Sequence, residues 1–469
     1  MKKSLFYAFL TDIRFWIMLF FVVRLIGITQ PPLEIAHNWR QTTVSMVARN
    51  FFETDANILY PRIDIAGEKS GITGMEFPLL NYLIYIVSLI FGYDHWYGRL
   101  INLLFSSAGI FAFYGLVKKF KNERLAVFAS LILLCSLWFT YSRKIMPDTF
   151  AVSLVLIGLQ AGYSFLRKQG SYLLLLIFFA GLTAGLLAKL PAAVLLAVLP
   201  FFIFDKSWEF KRRVLLTFIG LLAILLAAWW YFYWVPYLNT HFGFKHFFMG
   251  KDLATGATEL LERWSLTANM FYETSMKFIA FGAFISGLIL MILKRDKLFV
   301  LFFVLNLLAF VVIMMKAGET FTRHSYYMIP FIPVMAVVAA SAIALIPNRK
   351  IAWVVIGLIM LEGVLNQQHD FRIKPQEMAL LKLESVLDQL GTQKDLVVIN
   401  SGEYPTPMYF AHRKGWVEAN NRIADSSYIA DLKSKGLKYI IVLKQVFGTD
   451  MPLDYTKMYD ADEFTVYKP

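Results

Sequence analysis

The chain has 469 residues, of which 58% are hydrophobic, 16% aromatic and only 17% charged, with a formal net charge of +13. Soluble domains carry about a quarter of charged residues, so this composition excludes an ordinary soluble fold and describes a polytopic membrane protein. Much of the basic excess sits in short connectors between apolar runs, where it reports topology instead of a nucleic-acid partner, and the lone Cys135 excludes an intrachain disulfide.

The segment MKKSLFYAFLTDIRFWIMLFFVVRLIGIT opens the chain and has no obvious small-residue cleavage site after its apolar run, so a retained first span is expected. A span needs roughly 20 mostly apolar residues, and about eleven runs approach this. They lie near 13–29, 97–117, 125–142, 149–166, 171–188, 191–204, 214–234, 276–293, 298–315, 327–346 and 351–366. The connectors KKFKNER (118–124), RKQG (167–170), DKSWEFKRR (205–213), KRDK (294–297) and PNRK (347–350) concentrate the lysines and arginines. With Met1, Lys2 and Lys3 inside, an eleven-span path places all five in the cytoplasm and the C-terminus outside.

FPLLNYLIYIVSLIFG (77–92) is apolar but short, and as a span it would move KKFKNER outside. It is therefore expected as a juxtamembrane helix on the outer interface. HNWRQTTVSMVARNFF (37–52) reads as a second, because Trp39, Val44, Val47, Ala48 and Phe51 recur at helical spacing. The first external loop, about 30–96, is thus structured, and a second large one covers about 235–275 behind the aromatic cluster WWYFYWVPY (229–237). Residues 1–366 form the expected membrane domain.

Beyond Asn366 the composition turns soluble, and 367–469 is expected to be a small external α/β domain. DLVVINS (395–401) and LKYIIVLK (437–444) read as buried strands with partly parallel pairing. PQEMALLKLESVLDQLG (375–391), PTPMYFAHR (405–413) and SSYIADLKSKG (426–436) read as helices around them. The domain has no GxGxxG and no GxxxxGK[ST], so no nucleotide is assigned to it.

Four external stretches carry the residues suited to chemistry, since ionisable groups at a membrane boundary are costly without a role. PPLEIAHNWRQ (31–41) supplies Glu34, His37, Arg40 and Gln41, with His37, Arg40 and Gln41 on one helical face. PRIDIAGEKSGITGMEFPLL (61–80) supplies Asp64 and Glu76, the latter also suited to a helix N-terminus. YSRKIMPDTF (141–150) supplies Arg143 and Asp148, with Pro147 at a first-turn position. KAGETFTRHSYYMIP (316–330) supplies Arg323, His324, Tyr326 and Tyr327, and LLAKLP adds Lys189. Solvated helix ends and an aromatic belt would account for the same residues without any reaction.

Taken together, these carboxylates and cations are expected to converge on one outer cavity suited to moving a group off a phosphate. Cations stabilise the departing phosphate, and a carboxylate or histidine takes the proton of the incoming hydroxyl. No HExxH, GxSxG or CxxC supports another chemistry. The carboxylates are compatible with Mg2+ or Mn2+, but no ligand spacing demands a metal.

In order and spacing, WRQ…ARNF, YPRID, EFPL, R…PD, AKLP and RHSYY make about residues 13–346 resemble the C-type membrane glycosyltransferases. The likeness is strongest to the branch of dolichyl-phosphate-mannose protein mannosyltransferases and aminoarabinose transferases, glycosyltransferase family 39-like. The resemblance implies two juxtamembrane helices in the first external loop, a polyprenyl-phosphate-linked sugar donor entering from the membrane, and inverting transfer to a lipid, glycan or protein acceptor. It implies a bacterial inner membrane, with the active site and C-terminal domain on the periplasmic side. Many members place an acidic residue, often Asp-Glu, early in the first juxtamembrane helix, where this chain has Arg40-Gln41. Glu34, His37, Asp64 and Glu76 therefore stand as alternatives for the base, and a phosphate or carboxylate acceptor would need no strong base. A flippase for polyprenyl-linked saccharides is the alternative from another class; it should show related halves and midplane charges, and neither is visible. A degenerate, non-catalytic relative is the third.

Overall fold

A computed structural model describes residues 10–167, 171–246 and 250–469. Met1, Lys2, Lys3 and most of the RKQG connector lie outside the described residues. The principal helices are α1 (Ile13–Leu25), α2 (Asn38–Glu53), α3 (Leu79–Phe91), α4 (Trp96–Phe120), α5 (Glu123–Cys135), α6 (Pro147–Arg167), α7 (Tyr172–Ala188) and α8 (Phe210–Trp229). They continue with α9 (Lys277–Leu293), α10 (Lys297–Ala317), α11 (Ile332–Ala344), α12 (Arg349–Asn366), α13 (Leu383–Leu390), α14 (Thr406–Ala411) and α15 (Ser426–Ser434). Five strands follow α12: β1 (Leu396–Ile399), β2 (Gly415–Val417), β3 (Leu437–Leu443), β4 (Thr456–Asp460) and β5 (Phe464–Lys468).

Each apolar run expected to span contains helix, and the two segments expected as juxtamembrane helices are helical, as α2 and α3. Only five helices among the described residues are long and apolar enough to cross a membrane alone, or six if the pair Trp264–Thr274 and Lys277–Leu293, bent by 101°, is one span. The run 191–204 is a 3-10 helix, Leu190–Val198, followed by Leu199–Ile203, with a proline in the first turn of each. The run 125–142 breaks at Ser136, after which a short turn of helix, Trp138–Tyr141, resumes.

The chain divides into two compact units. The first comprises Met1–Ile28, Arg99–Tyr231 and Phe248–Gln368. Its closest helix pair is α6 and α7, which approach through Gly158, Gly162, Gly181 and Gly185. A Cβ on Gly181 would lie 2.7 Å from the Leu154 carbonyl oxygen, and one on Gly185 2.7 Å from that of Ala151. Small residues at this spacing let membrane helices gain van der Waals contact that lipid cannot supply.

The second unit comprises Thr29–Gly98, Phe232–Phe247 and His369–Pro469, so the C-terminal residues join the 29–98 segment in one compact body. The sheet order is β2-β1-β3-β5-β4. β1 is parallel to β2 and β3, while β5 is antiparallel to β3 and β4. Its core merges Met46, Val47 and Phe51 of α2 with Leu383, Val397, Met408 and Ile441. The loop before α3 pairs with the edge strand β2: the Gly415 amide donates to the Asp64 carbonyl at 3.0 Å, and the Gly67 amide donates to the Gly415 carbonyl at 2.7 Å. Gly67 has φ +63°, and a Cβ there would sit 2.3 Å from Trp416 Nε1.

Candidate functional site

In the second unit, His37 takes a left-handed backbone at the start of α2 and sets Arg40 and Gln41 in its first turns. Arg40 Nη2 donates to Glu76 Oε1 at 2.6 Å, with both side chains nearly buried. Arg40 also lies 5.5 Å from the Trp39 ring centre. Gln41 Nε2 reaches toward Glu34 Oε2 at 3.5 Å, and both residues are fully buried. Glu34 is placed by an antiparallel bridge to Ile373, and Asn38 Nδ2 donates to Glu377 Oε2 at 3.1 Å. Burial raises the Glu377 carboxyl above its usual range, against the pull of Asn38 and Lys374.

Asp64 lies in a different setting. It accepts from Arg49 Nη2 at 3.2 Å and Asn50 Nδ2 at 2.7 Å, and its amide lies 3.1 Å from Met46 Sδ. This carboxylate holds its loop against α2, a structural task for the loop that leads to Glu76. One neighbour escaped the sequence reading. His246 lies in the field of Arg40 and Glu76, and burial pushes its imidazole down to about 4, helped by Arg40 and opposed by Glu76. It is therefore neutral at pH 7 and suited to accept a hydrogen bond. No motif marked it, because it sits in a loop with no second chemical residue at a recognisable spacing.

In the first unit, Pro147 and Asp148 begin α6 as expected. Asn102 holds the preceding turn, with its amide nitrogen donating to the carbonyls of Tyr141, Lys144 and Met146 at 2.9, 2.8 and 3.2 Å. Lys189, just past α7, brings its ammonium 3.7 Å from Asp148 Oδ1 and 5.3 Å from the Tyr326 ring centre. Tyr326 in turn stacks on His324, ring centres 5.3 Å apart, and packs against Tyr327 at 4.9 Å. Tyr141 and Ser325 share a hydroxyl hydrogen bond of 2.6 Å, tying the two stretches together. Arg143 is buried and donates to the carbonyls of Ile26 and Gly27.

Arg323 is 61% exposed and pairs with Glu319 at 3.1 Å, which also binds Arg263 at 3.0 Å. Among the buried cations that went unnoticed in the sequence are Lys144, beside Arg143, and Arg24, inside α1. Arg24 donates to Phe20 O and to Ser142 Oγ. Among the described residues no three His, Cys, Asp or Glu side chains gather to hold a metal ion.

Residues 76–234 match the model of the family described as dolichyl-phosphate-mannose-protein mannosyltransferase. A comparison with curated proteins finds no match. Among solved structures, ArnT from Cupriavidus metallidurans bound to undecaprenyl phosphate is similar at TM-score 0.58 and 11% identity, over 96% of this chain and 97% of that one. The apo oligosaccharyltransferase from Archaeoglobus fulgidus is similar at 0.54 and 12%, over 91% of this chain and 69% of that one. AglB from the same organism, in complex with an inhibitory peptide and a dolichol-phosphate, is similar at 0.51 and 12%, again over 91% and 69%. The chain is thus similar to the dolichyl-phosphate-mannose-protein mannosyltransferases in sequence over 76–234, within the membrane glycosyltransferase fold it shares with ArnT.

Proposed function

We propose that this integral membrane protein is a glycosyltransferase that moves a sugar from a polyprenyl-phosphate donor to a lipid, glycan or protein acceptor at the outer face of a bacterial inner membrane. The observation that carries the reading is the family match over 76–234, which covers both Glu76 and the Asp148–Lys189 pair. The proposed topology is the eleven-span path with the 367–469 region outside. The structural neighbours solved with undecaprenyl phosphate and with a dolichol-phosphate make such a lipid the natural donor.

The acceptor oxygen attacks the anomeric carbon while the bond from that carbon to the phosphate oxygen breaks, inverting the centre and releasing polyprenyl phosphate. Lys189 and Arg143 stabilise the negative charge left on the phosphate. Asp148 orients the Lys189 ammonium, and Tyr326 and Tyr327 line the sugar or prenyl path beside it. Arg323 supplies a more exposed cation for the same lipid. Glu76, set by Arg40, takes the proton of a hydroxyl acceptor, with Glu34 and His37 as neighbours on the same unit. Asp64 anchors its loop.

Mass spectrometry of envelope glycans, lipids and glycoproteins from cells with and without the protein tests the reading. Loss of one sugar from one acceptor supports it. Unchanged glycans, with a polyprenyl-linked saccharide trapped on the inner leaflet, would overturn it in favour of a flippase.

A further inference from the structure

Apart from these groups, the second unit contains a cavity of about 330 Å3 lined by Arg49, Glu53, Tyr93, Asp94, Glu384 and His412, among others. None of these residues belongs to the proposed transfer machinery. The cavity begins where α3 ends. Ile86, Leu89, Ile90 and Phe91 of α3 are 43%, 59%, 72% and 72% exposed, an apolar strip that a membrane protein covers with lipid. The chain turns at Gly92, and the next two residues, Tyr93 and Asp94, are already cavity wall.

The wall is built and charged. Tyr93 Oη lies 3.0 Å from Tyr409 Oη and donates to the Ser45 carbonyl at 2.9 Å. The Arg49 guanidinium is fixed 4.6 Å from the Tyr409 ring centre. His412 is held at both nitrogens, 2.9 Å from Glu53 Oε2 and 2.5 Å from Glu384 Oε1. Each carboxylate thus spends one oxygen on the imidazole, and Asp94, 42% exposed, stands at the rim. Charges of both signs therefore face one small space at the end of a lipid-facing helix.

We propose that this cavity is a headgroup site for a zwitterionic phospholipid bearing a primary ammonium, with the phosphate against Arg49 and in the field of His412, and the ammonium among Glu384, Glu53 and Asp94. The acyl chains run along Ile86, Leu89 and Ile90. Carboxylate acceptors reward N–H donors, so ethanolamine is preferred over a trimethylammonium, which has none to give. A glycerol headgroup has no cation for the carboxylates. A neutral sugar would not need the paired charges or the apolar strip beside them. The inference rests on the membrane setting of the chain and not on the transferase reading.

The full chain, purified and placed in nanodiscs, tests this. Discs of phosphatidylcholine are compared with discs doped with phosphatidylethanolamine or phosphatidylglycerol, and retained lipid is counted by native mass spectrometry. Phosphatidylethanolamine should be retained roughly tenfold better than either, the ratio expected of one charge-assisted hydrogen bond. Glu384→Gln should erase that preference. Asp94→Asn, at the exposed rim where misfolding is no concern, should reduce it severalfold. Equal retention of the three lipids would overturn the proposal, as would a full preference in both variants. Displacement of the lipid by a neutral disaccharide such as maltose would reassign the cavity to sugar and overturn it as well.

Discussion

Arg40 and Glu76 form an ion pair of 2.6 Å with both side chains nearly removed from solvent. They stand 36 residues apart, one in α2 and one just before α3. The fold brings a carboxylate from the next element to a cation in the first turns of α2.

Removing one charge from such a pair strands the other, at a cost of about 3–5 kcal/mol, whereas replacing both with apolar groups is often neutral. Glu76→Gln should therefore abolish transfer and lower the melting temperature. Arg40→Met combined with Glu76→Met should restore most of the stability but none of the activity. Full activity in the double variant would reduce the pair to a structural element.

The Lys189 ammonium lies 3.7 Å from Asp148 and faces the Tyr326 ring. Lys189→Met should weaken binding of undecaprenyl phosphate by about tenfold or more, because a desolvated phosphate loses its fixed cation. Arg323→Ala, at an exposed pair, should cost about threefold or less. Direct binding in nanodiscs separates the two, and equal losses would move the phosphate nearer to Arg323.

Asp148→Asn should lower the transfer rate by about two orders of magnitude or more, with the chain still folded but less stable because Lys189 loses its partner. The amide keeps the shape at the start of α6 and gives up only the charge. Transfer rates beside a melting curve decide it; parent-like rates would make Asp148 a helix-end residue alone.

His412 gives unit two a pH dependence. Burial opposes its charge, but the hydrogen bonds to Glu384 and Glu53 win and lift the imidazole to about 9 from 6.5. Its folded form holds a proton that the unfolded form releases. The added stability is complete below about pH 6.5, declines as the pH rises, and is lost above about 9, a total of about 2–3 kcal/mol. Denaturation midpoints measured from pH 6 to 9.5 should fall in the parent and flatten in His412→Gln.

The eleven-span path places Phe120 in the cytoplasm. A Phe120→Cys variant built on Cys135→Ser should resist an impermeant maleimide added outside intact cells. Labelling there would turn the connector outward and remove the reason for laying α3 on the interface.

Much of this architecture was legible because charge and periodicity are local signals. Trp39, Val44, Val47 and Phe51 announced α2, and the short run 77–92 between structured neighbours announced α3. The strands β1 and β3 were legible as apolar runs, whereas β2 has only three residues and β4 exposes nearly all of its side chains, so neither leaves an apolar pattern. Pairings across long separations left no trace at all. Nothing near Asp64 says that Arg49 and Asn50 would hold it, and nothing near Glu76 names Arg40. His246 was invisible for the same reason: its significance comes from charges over 150 positions away in the chain.

The second unit also imposes an order on synthesis. Arg49 donates to the carbonyl of Tyr409, 360 residues later, and Gly67 waits for the β2 backbone at Gly415. At about 5–20 residues per second, the ribosome needs roughly 20–70 s to supply such a partner. Through that interval the 29–98 segment is without its template strand, its apolar α2 face uncovered. The last hundred residues therefore close a structure that the first hundred began, and a chain stopped at 367 would leave that loop permanently unfinished.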